Sequence, residues 1–191
     1  MRFLNSVFRN TLALSRSFKM NNLSFTPSRG LKANVNGLEI YYEQVGNGPK
    51  TVLLLPGALG TTRTDFGSQL DDKCGLDYSK FTLVAWDPPG YGRSQPPPRD
   101  FTDFYNRDAT HAANLMKTLG VDKYSVLGWS DGGITGLILA ARQPETVEKL
   151  VAFGCNAYVS DSDRACTTAI KNTAEIEAGD AFLYFNFESV S

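Results

Sequence analysis

The sequence predicts an α/β fold with a mostly parallel, doubly wound sheet, on three observations. Four short continuous apolar runs, Thr51–Leu55, Phe81–Trp86, Tyr124–Leu127 and Val147–Phe153, read as strands covered on both faces. Helical patterns lie between them at Asp103–Leu119 and Gly132–Gln143. Strands alternating with helices indicate a parallel sheet with crossover helices. At 191 residues, 42% hydrophobic and 12% aromatic, the chain has enough apolar surface for one core.

In chain order, Leu31–Val35 and Leu38–Gln44 flank Asn36-Gly37, the strongest short signal for a hairpin. Gly46-Asn47-Gly48-Pro49 breaks the chain before the first buried strand, and Pro56-Gly57-Ala58-Leu59-Gly60 forms the loop after it. Asp87-Pro88-Pro89-Gly90-Tyr91-Gly92-Arg93-Ser94 closes the second strand, and Pro96-Pro97-Pro98 ends that loop. In Asp103–Leu119 the residues Phe104, Ala112, Leu115, Met116 and Leu119 share one helical face, and Gly120 is placed to cap the end. Pro144 stops the helix that begins at Gly132.

Charge separates the chain into two parts. Residues 1–38 carry six basic side chains and no acid, which leaves 13 basic and 20 acidic residues in 39–191, a net of −7. That body has no electrostatic footprint for nucleic acid. The first thirty residues are also Ser-rich, and Phe3, Leu4, Val7, Phe8, Leu12 and Leu14 give a rough amphipathic helix. This composition fits a mitochondrial transit peptide; a disordered basic tail is the alternative. Arg9 and Arg16 interrupt any secretory apolar run, and no stretch approaches the ~20 apolar residues of a membrane span. Cys74, Cys155 and Cys166 stand at unrelated spacings, so no metal, cofactor or disulfide is expected.

Gly128-Trp129-Ser130-Asp131-Gly132 matches G-x-S-x-G, directly after a strand and before a helix. This is the context of a nucleophile elbow, in which glycines allow strand and helix to approach closely around an exposed Ser. The expected nucleophile is Ser130. The expected oxyanion donors are the backbone N–H of Asp131 and that of Ala58 or Leu59, although a plain β-to-helix loop would also account for Pro56–Gly60. Asp131 can receive a cationic group of a substrate or can simply favour the helix dipole. The only His, His111, lies inside the first long helix and reads as a boundary residue. It precedes the Ser, whereas in this elbow fold the order is Ser, then an acid, then His.

Five segments, Thr51–Gly60, Thr64–Leu70, Val84–Ser94, Leu127–Thr135 and Asn156–Asp161, resemble the biphenyl hydrolase-like members of the α/β-hydrolase family, from about Ala33 to about Lys171. The resemblance implies a mitochondrial serine esterase that cleaves α-amino acid esters, with Ser130 as nucleophile and Asp131 as anchor for the substrate amino group. It implies no cofactor, and a small-molecule ester as the partner. Two departures stand out. Pro89 replaces the Arg of the family's D-P-R-G-Y-G loop. The family's catalytic Asp and His, most of its helical lid and its last strands lie beyond residue 191.

The expected organisation is therefore a transit segment or tail at 1–32, the N-terminal part of a hydrolase domain at 33–171, and a divergent tail at 172–191. On this reading the chain is C-terminally truncated, and a catalytically inactive product is the alternative to an esterase. A ligand-binding module without chemistry is a weaker third. Loss of the last strands is expected to leave Val147–Phe153 with an unpaired edge, and Ala181–Phe187, reached through a helix at Ser160–Glu177, is a possible substitute strand.

Overall fold

A computed structural model describes residues 29–156 apart from 72 and 75. The chain divides between Cys155 and Asn156 into two units, and the fold described here is that of the first. The transit segment before residue 29, Cys166, Ser160–Glu177, the tail at 172–191 and its Ala181–Phe187 run lie outside the described residues.

Strands β1 (Arg29–Val35) and β2 (Leu38–Val45) form the expected antiparallel hairpin. Asn36 and Gly37 both have positive φ, 54° and 83°, as a turn matched to the right-handed strand twist requires. Strands β3 (Lys50–Leu55), β4 (Phe81–Trp86), β5 (Tyr124–Trp129) and β6 (Val147–Phe153) follow. Between them lie α1 (Thr62–Leu70), α2 (Phe104–Thr118) and α3 (Asp131–Arg142). The sheet order is β1-β2-β4-β3-β5-β6; β2 runs antiparallel to β4, and β4, β3, β5 and β6 are parallel.

Side chains alternate across the sheet and divide the core into two layers. Leu53, Leu55, Val84, Trp86, Tyr124 and Val126 meet α2 and α3 through Ala112, Leu115, Met116 and Leu139. Leu54, Leu83 and Ala85 face the other way, onto Phe66 and Leu70 of α1. Helices on both faces make the sheet doubly wound. The chain leaves β3 toward β4 on one side and later returns to β5 on the other. The carboxyl end of β3 is therefore a switch point, where open α/β sheets leave a crevice.

Helix ends follow local chemistry. Thr61 and Thr64 form a reciprocal capping box at the start of α1. At the end of α2, Gly120 (φ 73°) donates to Lys117 and Val121 donates to Met116, a Schellman motif. The sequence did not delimit α1, because only Phe66 and Leu70 mark its apolar face and Gly67 interrupts its interior.

One strand has the unpaired edge expected of it but departs in its burial. Val147–Phe153 forms β6 as predicted, but it is not covered on both faces. Among the described residues it is the last strand, with no strand on its outer side, and Val151 and Phe153 are exposed. Its apolar run reads like that of an internal strand, whereas exposure depends on neighbours that the run does not specify. Cys74 and Cys155 are free thiols, as expected.

Candidate active site

Ser130 occupies the junction between β5 and α3 with φ 51° and ψ −120°, a backbone conformation that non-glycine residues rarely adopt. Three contacts hold it there. Its N–H donates to Phe153 O at 2.9 Å, tying the junction to the end of β6. Its carbonyl accepts from Gly133 at 2.8 Å and Ile134 at 3.2 Å, which starts α3 at once. A Ser at a helix N-cap ordinarily gives its hydroxyl to the second or third helical amide. Ser130 makes no such cap bond, so its Oγ is not used by the fold.

The two motif glycines are set by steric exclusion. A Cβ on Gly128 would lie 2.4 Å from Gly132 O, and one on Gly132 would lie 2.0 Å from Leu55 O and 2.6 Å from Pro56 O. Each obstacle is backbone and cannot rotate away. The crowding at Gly132 also fastens the start of α3 to the end of β3, and so brings the Pro56–Gly60 loop to the nucleophile. A Cβ on Gly57 would come within 3.1 Å of Ser130 Cβ.

That loop is a turn closed by Gly60 N–H to Gly57 O at 3.0 Å, with Leu59 at φ 58° and its side chain 75% exposed. Asp65 of α1 braces it, accepting from Gly57 N–H at 2.8 Å. Gly57 is therefore already satisfied. Among the described residues, no turn or loop hydrogen bond uses the N–H of Ala58, Leu59 or Asp131. Asp131 is the first residue of α3, where orphan amides and the helix dipole favour negative charge.

Beside Ser130, a narrow cleft opens at the ends of β3 and β4, between Gly57, Pro88, Tyr91, Arg99, Asp108, Asp131 and Thr135. Its free space is about 10 Å³, the scale of one water molecule. Arg99 and Asp108 form a two-pronged ion pair at 2.9 and 2.6 Å, with both side chains 6% exposed. Arg99 also donates to Pro89 O at 2.9 Å and lies over the rings of Tyr91 and Phe104. Burial pushes the Asp108 carboxyl above its usual range, and Arg99 opposes that shift.

Tyr105 of α2 donates to Asp131 Oδ1 at 2.9 Å. Burial raises the Asp131 carboxyl above its usual range; the Tyr105 hydrogen bond and the Arg99 charge pull it back, and the Asp108 charge adds to the rise. Burial and the Asp131 charge hold the Tyr105 hydroxyl far above the usual tyrosine range.

The fold thus brings Ser130, Asp131 and the Ala58–Leu59 turn together. It keeps His111 apart, on α2, where its Nδ1 lies 2.8 Å from Arg107 O. A carbonyl only accepts, so that nitrogen carries the proton. Sequence reading missed Arg99, Tyr105, Asp108 and Asp65. None carries a local motif, and the one available signal was three acids and two arginines within the ten residues after Pro96-Pro97-Pro98.

The model of the alpha/beta hydrolase fold family matches residues 50–172, more than half of the chain. The chain belongs to the α/β-hydrolase family. Within it, the chain is 52% identical over 145 residues to human "Serine hydrolase BPHL", covering 75% of this chain and 49% of that protein. The mouse protein of the same name is 50% identical over the same length and shares. Among solved structures, a membrane phospholipase A superposes with a TM-score of 0.62 at 26% identity, over 75% of this chain and 46% of that one. This α/β-hydrolase chain spans about half the length of the curated relatives it matches.

Proposed function

We propose that this site is that of a serine hydrolase for α-amino acid esters, with Ser130 as nucleophile. The observation that carries the reading is the strained Ser130 turn, which leaves Oγ uncapped beside free N–H groups. Ser130 Oγ attacks the ester carbonyl carbon and loses its proton to a base. The N–H groups of Asp131 and of Ala58 or Leu59 receive the oxyanion. Collapse expels the alcohol, which takes a proton, and water then releases the acid from acyl-Ser130. Asp131 receives the substrate's ammonium group.

A second reading follows from His111. It is the one imidazole in residues 1–191, and it sits on another element, bonded to Arg107. A general base must lie within hydrogen-bond reach of its nucleophile. By this reading, residues 1–191 alone turn over esters near background.

Both readings are tested by assaying an alanine aryl ester on the full chain and on Ser130→Ala, with and without added imidazole as an external base. The expected result is near-background turnover without imidazole, and with it an increase and an acyl-protein mass that both require Ser130. No Ser130-dependent difference would remove the nucleophile assignment. Robust turnover without imidazole, abolished in Ser130→Ala, would remove the second reading.

The basic, acid-free segment before Glu39 supports mitochondrial import. Residues 1–38 fused to a fluorescent reporter should direct it to mitochondria, and a cytosolic reporter would refute this.

A further inference from the structure

We propose that Tyr105 is a positioning residue for substrate charge: its hydroxyl pins one oxygen of Asp131 so that the other is presented to a single ammonium group. This rests on the reading of Asp131 given above and extends it to a residue that does not touch the reacting atoms.

The charges around Asp131 support it. Tyr105 and Asp108 approach from α2, and Arg99 and Tyr91 from the connection that follows β4. Arg99 and Asp108 face each other in a two-pronged pair and cancel. Tyr105 is a neutral donor. Asp131 therefore holds the surplus negative charge of the cleft. Its Oδ1 accepts the Tyr105 hydrogen bond, and its Oδ2 accepts none from any described residue. Moreover, Asp131 directly follows Ser130 in the chain and lines the cleft beside it.

The geometry also selects among cations. A guanidinium binds a carboxylate through both oxygens and needs room for a planar fork. Here one oxygen is engaged by Tyr105. An ammonium needs one oxygen and little space. Without the Tyr105 hydroxyl, the carboxylate could rotate about its last torsion and would lose the donor that offsets its burial. The competing account is that Tyr105 only packs α2 against α3. A Phe at position 105 keeps the ring and removes the hydroxyl, which separates the two accounts.

The test uses the full 191-residue chain and two probes that need no catalysis: alaninamide, with its ammonium, and propanamide, which lacks it. Binding of each is followed by NMR titration to the wild type, Asp131→Asn and Tyr105→Phe. A hydrogen bond to a charged group corresponds to about a tenfold change in affinity. Wild type should prefer alaninamide by at least about tenfold, and Asp131→Asn should lose that preference. Tyr105→Phe should lose most of it, with propanamide binding unchanged. A wild type without preference overturns the reading of Asp131 itself. A wild type that prefers alaninamide, an Asp131→Asn that does not, and a Tyr105→Phe that still does together overturn the Tyr105 inference alone. A second measurement needs no change at Tyr105. In Asp131→Asn, the ionisation of the Tyr105 hydroxyl, read by ring-carbon NMR, should fall toward the ordinary tyrosine range; no movement overturns the inference.

Discussion

The Ser130 turn and the charged cleft beside it share Asp131, yet different forces hold them. At the turn, the chain path is fixed by exclusion: Gly128 and Gly132 have backbone carbonyls where a Cβ would go. In the cleft, position is fixed by buried charge: Arg99, Asp108, Tyr105 and Asp131 hold one another against the penalty of leaving water. A contact set by exclusion tolerates no added atom but carries no dependence on pH. A contact set by charge tolerates isosteric change and responds to protonation. The first kind serves a nucleophile that must point one way, and the second serves recognition of a charged group.

Four measurements sharpen or break this contrast. The largest effect is expected from Gly132→Ala, whose new atom meets two backbone oxygens. Loss of about 4 kcal/mol or more, or failure to fold, is expected in urea denaturation; a loss below about 1 kcal/mol would mean that the turn is not set by exclusion.

Next is the buried pair. Asp108→Ala leaves Arg99 without its carboxylate and should destabilise by about 3 kcal/mol. The double change Arg99→Met with Asp108→Leu should recover most of that, because no charge is then buried. If the double variant is as unstable as the single one, charge is not what matters at this position.

The third is pH-dependent. Burial raises the folded Asp131 pKa above its unfolded value, so stability is withdrawn as pH rises from the ordinary carboxylate value through the raised one. The loss is absent in acid, where both states are protonated, and grows as pH rises through the raised value. Asp131→Asn should therefore raise Tm at pH above the carboxylate range, with the difference closing toward about pH 4. A gain that persists unchanged in acid would show that ionisation is not its origin.

The smallest is Gly67→Ala in the middle of α1, where a Cβ meets nothing within 4 Å. It should stabilise by about 0.5–1 kcal/mol through helix propensity. A destabilising result would mean that glycine itself, rather than crowding, is what this fold requires.

The sequence by itself determined the features whose causes lie within a few residues. The Asn36-Gly37 turn, the Gly120 cap, the stop before Pro144 and the Gly128–Gly132 elbow each follow from allowed dihedrals or missing Cβ atoms, which neighbouring residues announce. The strand runs were also readable, because continuous apolarity marks a strand wherever it ends up in the sheet. The unpaired edge of Val147–Phe153 was expected from the resemblance, but the tertiary structure alone decided the order of the strands inside the sheet. Tyr124–Leu127 and Val147–Phe153 read alike as apolar runs, but β5 lies between β3 and β6 whereas β6 has one neighbour among the described residues. It alone also brought Arg99, Tyr105, Asp108 and Asp131 together and kept His111 away from Ser130. Charges act through space, over separations unrelated to position along the chain, so no local pattern records which of them will meet.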